Sequence, residues 1–290
     1  MKNTLKTETK IIGLIGHPIK HSYSPFIFNV SLEITGFDFI YLPFDVPPTN
    51  LKNAIRGMTA LGIKGFNVTI PHKVSVLPMM NELSEEASVI GSVNTIVSEL
   101  GKLKGFNTDV YGILESLTPF KDKINGSTAT VVGAGGGARA VIFTLIRHFK
   151  PSGINLINRT EQRAESLKRY FSGKMRYDSL KVYELFPPGI VDVLSDSVLI
   201  VNATSVGMTP DVDDSISDLN KSFNKNQIVF DLVYNPIETK LLKIAAAEGA
   251  VTINGLNMLV HQAAKSFELW TGEQMPVEKV KHSLELFISK

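Results

Sequence analysis

The chain contains no cysteine. That excludes disulfides and thiolate-held metal, and it fits a reducing compartment. It also lacks a charge imbalance: 30 Lys and Arg stand against 28 Asp and Glu, a net charge of +2. Such a balance gives no footing for nucleic acid or an anionic membrane surface. No apolar run approaches the ~18 residues of a membrane span. The first ten residues are polar and charged, without the apolar core of a secretory leader, so a cytoplasmic location is expected. Histidine is sparse, at 17, 21, 72, 148, 261 and 282, and shows no metal-ligand spacing. Internal repeats and low-complexity tracts are absent as well. What remains is a globular composition, 43% hydrophobic and 20% charged, over 290 residues, enough for two domains.

The stretch Val131-Val132-Gly133-Ala134-Gly135-Gly136-Gly137-Ala138-Arg139 organises the rest. Residues 128–132 read as a buried strand and 138–148 as a helix. Strand, glycine turn and helix open a dinucleotide-binding βαβ unit. Gly133, Gly135 and Ala138 occupy the three positions of G-x-G-x-x-(G/A). The first makes the tight turn, the second admits a pyrophosphate, and the third keeps helix and strand close. The helix N-terminus then offers free N–H groups to phosphate. An ordinary tight turn would show the same glycines, so context decides. A second strand follows at 154–158 and ends in Asn158-Arg159-Thr160, with Arg163 one helical turn on. Two guanidiniums and a hydroxyl suit a ribose 2′-phosphate, hence NADP over NAD. Glu161 leaves NAD open, and Arg163 by itself reads equally as a solvated helix-face charge.

The first third of the chain carries polar groups at strand ends. An apolar strand at 10–15 runs into Gly16-His17-Pro18-Ile19-Lys20-His21-Ser22-Tyr23-Ser24-Pro25. Pro25 fits the first helical position, which makes Ser24 a natural N-cap. Ser22 has no capping role in that scheme. Two hydroxyls two residues apart at a helix start suit a small carboxylate. A helix to Thr35, stopped by Gly36, a strand at 39–44 and a helix through Ala60 follow. A strand at 64–70 then meets Pro71, read as a helix start, which puts Lys73 in a first helical turn. A cation there opposes the helix dipole at ~0.3–1 kcal/mol and ionises more easily, which suits a general acid–base. The plainer alternative is an exposed lysine, and for Thr69 a helix-entry hydroxyl. Residues 81–90 read as a helix. Two strands about Gly101 lead to Asn107-Thr108-Asp109, with Asp109 opening a helix as an ordinary first-turn acid. Asn94 reads as a turn residue that satisfies buried backbone.

These stretches together resemble the shikimate dehydrogenase family, essentially from end to end. The resemblance rests on His21-Ser22-Tyr23-Ser24-Pro25, Asn67-Val68-Thr69-Ile70-Pro71-His72-Lys73, Val93-Asn94-Thr95 and Asn107-Thr108-Asp109. It continues through the glycine loop, Asn158-Arg159-Thr160 and Asn202-Ala203-Thr204-Ser205-Val206-Gly207-Met208. It closes on Asp231-Leu232-Val233-Tyr234-Asn235-Pro236 and Gly255-Leu256-Asn257-Met258-Leu259-Val260-His261-Gln262. The order and spacing of these motifs are more specific than any one of them.

The resemblance implies reduction of 3-dehydroshikimate to shikimate with NADPH, a step of aromatic amino-acid biosynthesis. It implies Lys73 as catalytic acid–base with Asp109 as its partner. Ser22 and Ser24 would bind the substrate carboxylate, with Tyr234 near it. Thr69, Asn94, Asp109 and Gln262 would read the ring hydroxyls. Gly133, Gly135, Gly136, Ala138, Asn158, Arg159, Thr160, Arg163, Thr204, Val233 and Gly255 would line the cofactor. The implied fold is two α/β domains with the active site in the cleft between them. Residues 1–117, rejoined by 255–290, form the substrate domain, and 118–254 a Rossmann domain. The partner is a small molecule, the assembly a monomer or homodimer. Two rivals stay open: a quinate/shikimate enzyme of relaxed NAD or NADP use, and a non-catalytic ligand sensor that would lack Lys73 or Asp109.

In the remainder, helices are expected to run from 160 to about 171, over 239–247, over 256–270 with Gln262, and over 277–288. Strands are expected at 198–201, 227–232 and 251–253. Small residues after 201 suit a nicotinamide, though a plain polar loop reads the same. The patterning of 174–196 is weak.

Overall fold

The computed structural model describes residues 5–184, 190–216 and 222–289. It divides into two compact units, Met1–Tyr111 with Leu259–Lys290, and Gly112–Met258.

The first unit is a mixed sheet with helices. In order come β1 (Lys10–Gly16), α1 (Ser24–Thr35), β2 (Phe39–Asp45), α2 (Leu51–Ala60) and β3 (Gly65–Val68). Then follow β4 (Glu82–Leu83), α3 (Glu85–Ile90), β5 (Thr95–Glu99), β6 (Lys102–Phe106) and the first residues of α4 (Asp109–Leu117), which continues into the second unit from Gly112. The sheet order is β2-β1-β3-β5-β6-β4. β1 is parallel to β2 and β3, so Gly16 and Val68 finish side by side at one carboxyl edge. β5 and β6 are antiparallel, joined by Leu100 and Gly101 at φ 50° and 76°. Two positive φ values give the turn whose twist matches a two-residue hairpin. Leu100 accepts that conformation because its side chain meets only solvent. Ile15, Phe66, Val68, Val76, Val93 and Ile96 form the core beneath the sheet.

The expected helix over 81–90 is shorter than read. Asn81 is a bend and β4 is extended instead, and only Glu85–Ile90 is helical. The cause is local: the Ser84 hydroxyl accepts from the Ala87 N–H, which starts the helix at 85. Asn81 meanwhile accepts the Leu103 N–H at 2.7 Å, which ties the segment to the sheet.

The second unit holds α5 (Lys121–Ile124), β7 (Thr128–Val132), α6 (Gly136–Thr144), β8 (Gly153–Asn158) and α7 (Glu161–Met175). It continues with β9 (Leu180–Glu184), α8 (Ile190–Ser195), β10 (Leu199–Asn202), β11 (Ile228–Asp231), α9 (Lys240–Ala247) and β12 (Val251–Ile253). All its strands are parallel, in the order β12-β11-β10-β7-β8-β9. The chain moves outward from β7 to β9, then crosses back to β10 on the other side. That reversal is the doubly wound pattern, and it opens a crevice at the carboxyl ends of β7 and β10. The central strands are buried at every residue but Thr128, as parallel strands covered on both faces must be. α10 (Gly255–Thr271) then leads back into the first unit, and α11 (Val277–Ile288) ends it.

Candidate active site

Lys73 lies in linked turns after β3, not in a helix. Its carbonyl accepts the Val93 N–H at 2.8 Å, which commits the backbone to a neighbouring segment. Its own segment therefore supplies no helix N-terminus to bear on the ammonium. A direct ion pair stands in its place. Lys73 Nζ donates to Asp109 Oδ2 at 2.6 Å, and the side chains are 18% and 4% exposed. The ammonium keeps a small opening to solvent, while the carboxylate is almost wholly enclosed.

Asp109 begins α4, as expected, and its second oxygen is also taken. Asn94 Nδ2 donates to Oδ1 at 2.9 Å. The Asn94 amide has only one workable orientation, because its Oδ1 receives the Thr108 backbone N–H at 2.7 Å. Gln262 arrives from α10. Its Nε2 donates to the Leu259 carbonyl at 2.9 Å, leaving Oε1 3.3 Å from Asn94 Nδ2. Four of the residues singled out in the sequence, Lys73, Asn94, Asp109 and Gln262, thus form one bonded group.

Ser22, Ser24 and Thr69 have no bond to that group. They stand at the carboxyl edge of β1 and β3. Thr69 packs so closely on Gly16 that a Cβ there would come within 2.3 Å of its methyl group. Ser24 is not the N-cap of α1: Tyr23 holds that position without a side-chain capping hydrogen bond to the helix, and Ser24 is the first helical residue. Ser22 does the local work instead, its Oγ accepting the Ser24 N–H at 3.2 Å. Ser24 itself is buried, 5% exposed. His72, between Thr69 and Lys73, is buried and donates from Nε2 to the Val46 carbonyl at 2.6 Å, which pins the turn.

In the second unit the glycine loop sits at the carboxyl end of β7. Gly133 has φ 114°, and a Cβ there would lie 2.9 Å from the Ala203 carbonyl. Only glycine combines that backbone with that approach. Gly135 is the N-cap of α6 with no side-chain cap, and a Cβ on it would meet nothing within 4 Å. Gly136 and Ala138 follow in the first helical turn, Ala138 fully buried. Uncapped N–H groups facing open space are what a pyrophosphate requires. Thr204 is held beside them. Asn202 Oδ1 accepts from the Thr204 N–H at 3.1 Å and hydroxyl at 2.6 Å, and Nδ2 donates to Asp231 Oδ1 at 2.9 Å.

Asp231 ends β11, fully buried, with Asn202, the Val233 N–H and the Thr239 hydroxyl all donating to it. Burial pushes its carboxyl up to about 6, against the pull of those three donors. Val233 is buried, Tyr234 half-buried, and the Gly255 N–H donates to the Val233 carbonyl at 3.1 Å. A Cβ on Gly255 would strike the Leu232 carbonyl at 2.3 Å, so glycine is required there too.

At the end of β8, Asn158 Nδ2 donates to the Thr160 carbonyl at 2.8 Å and shapes the turn. Arg159 and Arg163 are exposed, and among the described residues their guanidiniums have no carboxylate partner. Arg139, by contrast, stacks over the Tyr170 ring at 4.6 Å and ties α6 to α7. The donor set at these strand ends, uncapped amides and two uncommitted guanidiniums, fits a phosphorylated dinucleotide. Sequence reasoning had not singled out Thr95, Ser266, Asn202 or Asp231 as site residues. Thr95, Asn202 and Asp231 lay inside quoted motifs. Ser266 had only its place one turn beyond Gln262. Among the described residues no helix is long and apolar enough to cross a membrane, and no group of His, Asp and Glu could hold a metal.

Known proteins are similar to this chain in sequence and fold. The family model for the shikimate dehydrogenase substrate binding domain matches residues 14–96. The model for the shikimate 5′-dehydrogenase C-terminal domain matches residues 255–285. The shikimate dehydrogenase (NADP(+)) of Caldanaerobacter subterraneus is 46% identical over 93% of this chain and 94% of its own. A shikimate dehydrogenase crystallised with NADP+ superposes with a TM-score of 0.90 at 40% identity, covering 99% of this chain and 98% of its own. The Thermus thermophilus enzyme, in complex with NADP(H) and shikimate, gives 0.81 at 34% identity over 94% and 97%. With its doubly wound nucleotide unit, its Lys73–Asp109 pair and relatives this close over nearly its whole length, the chain belongs to the shikimate dehydrogenase family.

Proposed function

We propose that the chain reduces 3-dehydroshikimate to shikimate, reversibly, with NADPH. The observation that carries the reading is the Lys73–Asp109 bond of 2.6 Å, with Asn94 on the other carboxylate oxygen. Bound NADPH supplies the hydride. Lys73, as an ammonium, donates its proton to the ketone oxygen, and as a neutral amine it takes that proton back in the reverse direction. Asp109 aims Lys73 and accepts from a ring hydroxyl. Asn94, Gln262 and Thr69 read the remaining hydroxyls. Ser22 and Ser24, with Tyr234, hold the carboxylate.

The substrate belongs to residues 1–117 and 255–290, the dinucleotide to 118–254. Gly133, Gly135, Gly136 and Ala138 receive the pyrophosphate. Asn158, Arg159, Thr160 and Arg163 receive the ribose 2′-phosphate, and Thr204, Val233 and Gly255 border the nicotinamide. NADP over NAD is supported by the two uncommitted guanidiniums and by relatives that are named for NADP(+) or crystallised with it. Quinate is not favoured: relatives at 37–46% identity are named for shikimate. A non-catalytic sensor would have no use for an intact lysine–carboxylate pair. The absence of cysteine supports a cytoplasmic site of action.

The test is an initial-rate comparison of shikimate and quinate, each with NADP+ and NAD+, repeated for Arg159→Ala. The expected result is the highest kcat/KM for shikimate with NADP+, and a loss in Arg159→Ala confined to NADP+. Equal losses with both cofactors would sink the 2′-phosphate assignment, and equal rates with quinate the substrate assignment.

A further inference from the structure

Behind Asn94 and Gln262 lies a second layer of polar side chains that the reaction as described leaves without a task. Its centre is Ser266 on α10, one helical turn after Gln262 and 0% exposed. Four groups surround its hydroxyl. Asn67 Nδ2 donates to it at 3.1 Å. Thr95 Oγ1 stands at 2.8 Å, Thr108 Oγ1 at 3.1 Å and the Gln262 carbonyl at 3.0 Å. A hydroxyl has one proton and two lone pairs, so Ser266 is fully used, with no room for a ligand.

The amides at either end of this layer have fixed orientations. Tyr41 donates from its hydroxyl to Asn67 Oδ1 at 2.8 Å, which turns Asn67 Nδ2 toward Ser266. The Thr108 N–H holds Asn94 Oδ1 at 2.7 Å, which turns Asn94 Nδ2 toward Asp109. Between them, Thr95 and Thr108 both reach Asn94 Oδ1, at 3.1 and 3.2 Å. Thr108 also reaches Gln262 Oε1 at 3.4 Å. Ser266 is the shared partner of the two threonines. It joins the core end of the layer, Tyr41 and Asn67, to the end that faces Asp109.

We propose that Ser266 is a positioning residue for the reaction: through Thr95 and Thr108 it sets the Asn94 and Gln262 amides at the angles that read the substrate's ring hydroxyls. The inference rests on the reading of Asn94 and Gln262 given above. Removing the hydroxyl leaves no buried donor stranded, because Asn67 Nδ2 keeps Thr95 Oγ1 at 3.0 Å and the Asn94 carbonyl at 3.3 Å. The fold therefore tolerates Ser266→Ala. What is lost is the common anchor of two threonine rotamers, and with it the alignment of two substrate-reading amides.

The experiment compares the unsubstituted chain with Ser266→Ala and Ser266→Thr. Steady-state constants are measured for shikimate, for NADP+ and for a shikimate analogue lacking the ring hydroxyl beside the reacting carbon. Ser266→Ala should raise KM for shikimate about five- to tenfold, lower kcat by less, and leave KM for NADP+ unchanged. The preference for shikimate over the analogue should shrink by a similar factor, since the two amides proposed to read the ring hydroxyls have been loosened. Ser266→Thr, which keeps the hydroxyl, should restore most of the shikimate KM. Three results would overturn the proposal: an unchanged shikimate KM in Ser266→Ala, KM values for shikimate and NADP+ that rise together, or an unaltered preference over the analogue. An inactive unsubstituted chain would instead overturn the functional reading beneath it, and is distinguished by its own row of the assay.

Discussion

Lys73 shows how the fold can replace the reason for which a residue is singled out. Its motif marks it in the sequence, but the helical turn assumed for it does not form, since its carbonyl pairs with Val93. Its partner is a carboxylate 36 positions away. No local pattern reports such a pairing. Asp109 by itself is an ordinary first-turn acid, and only the fold brings the two within 2.6 Å. In the reaction proposed above the lysine acts on the transferred proton, so Lys73→Ala is expected to lower kcat by about 10²–10⁴-fold and to change KM for shikimate much less. Steady-state kinetics at saturating NADP+ give the answer, and a kcat within a few-fold of the unsubstituted chain would remove Lys73 from proton transfer. The Ser266 layer was illegible for the same reason as the ion pair. Its bonds to Thr95 and Thr108 span 171 and 158 positions, and a serine on a helix carries no mark of its own.

Elements were legible where both faces are buried or where a glycine closes them. β7, β10 and β11 are short apolar runs, and α1 ends at a glycine in the left-handed region. β9 and α8 were missed within 174–196, where the pattern is weak. β9 is the edge of its sheet and buries only Leu180 fully, so it has no apolar run to display. The glycine loop yields a contrast between two neighbouring substitutions. Gly133→Ala puts a Cβ 2.9 Å from the Ala203 carbonyl at φ 114°, and should cost about 1–3 kcal/mol of stability. Gly135→Ala meets open space at an ordinary φ of −89°, so the fold should be unchanged. In the proposed reading the added methyl meets the approaching pyrophosphate, and KM for NADP+ should rise by about tenfold or more. Denaturant titration and cofactor saturation measured on both variants separate the two effects. Loss of stability in Gly135→Ala, or unaltered cofactor affinity, would contradict this reading of the loop.

For the whole molecule, stability depends on pH through Asp231. Its folded carboxyl titrates near 6, above the ordinary value of 3.8. Between those values the folded chain holds a proton that the unfolded chain has released. Stability therefore falls as pH rises through that window, by at most about 3 kcal/mol. Asp231→Asn keeps a carbonyl for Asn202 and Val233 and an N–H for the Thr239 oxygen, and does not titrate. Urea unfolding at pH 4.5 and pH 7 should show a smaller difference in the variant than in the unsubstituted chain. Identical differences would clear Asp231 of the effect.

The two units also differ in the order in which their parts are made. Met1–Tyr111 is not a whole unit until Leu259–Lys290 joins it, and Gly112–Met258 must be synthesised in between. At a translation rate of roughly 5–20 residues per second that wait is on the order of ten seconds. The second unit has its whole sequence before the first does. Throughout the delay Gly65 lies bare of Trp270, whose ring will sit over it, and the Thr95 and Thr108 hydroxyls have no serine to meet. The nascent sheet β1–β6 thus stays half-covered on the ribosome, an exposure that chaperones would meet on the earlier-made unit and not on the later one.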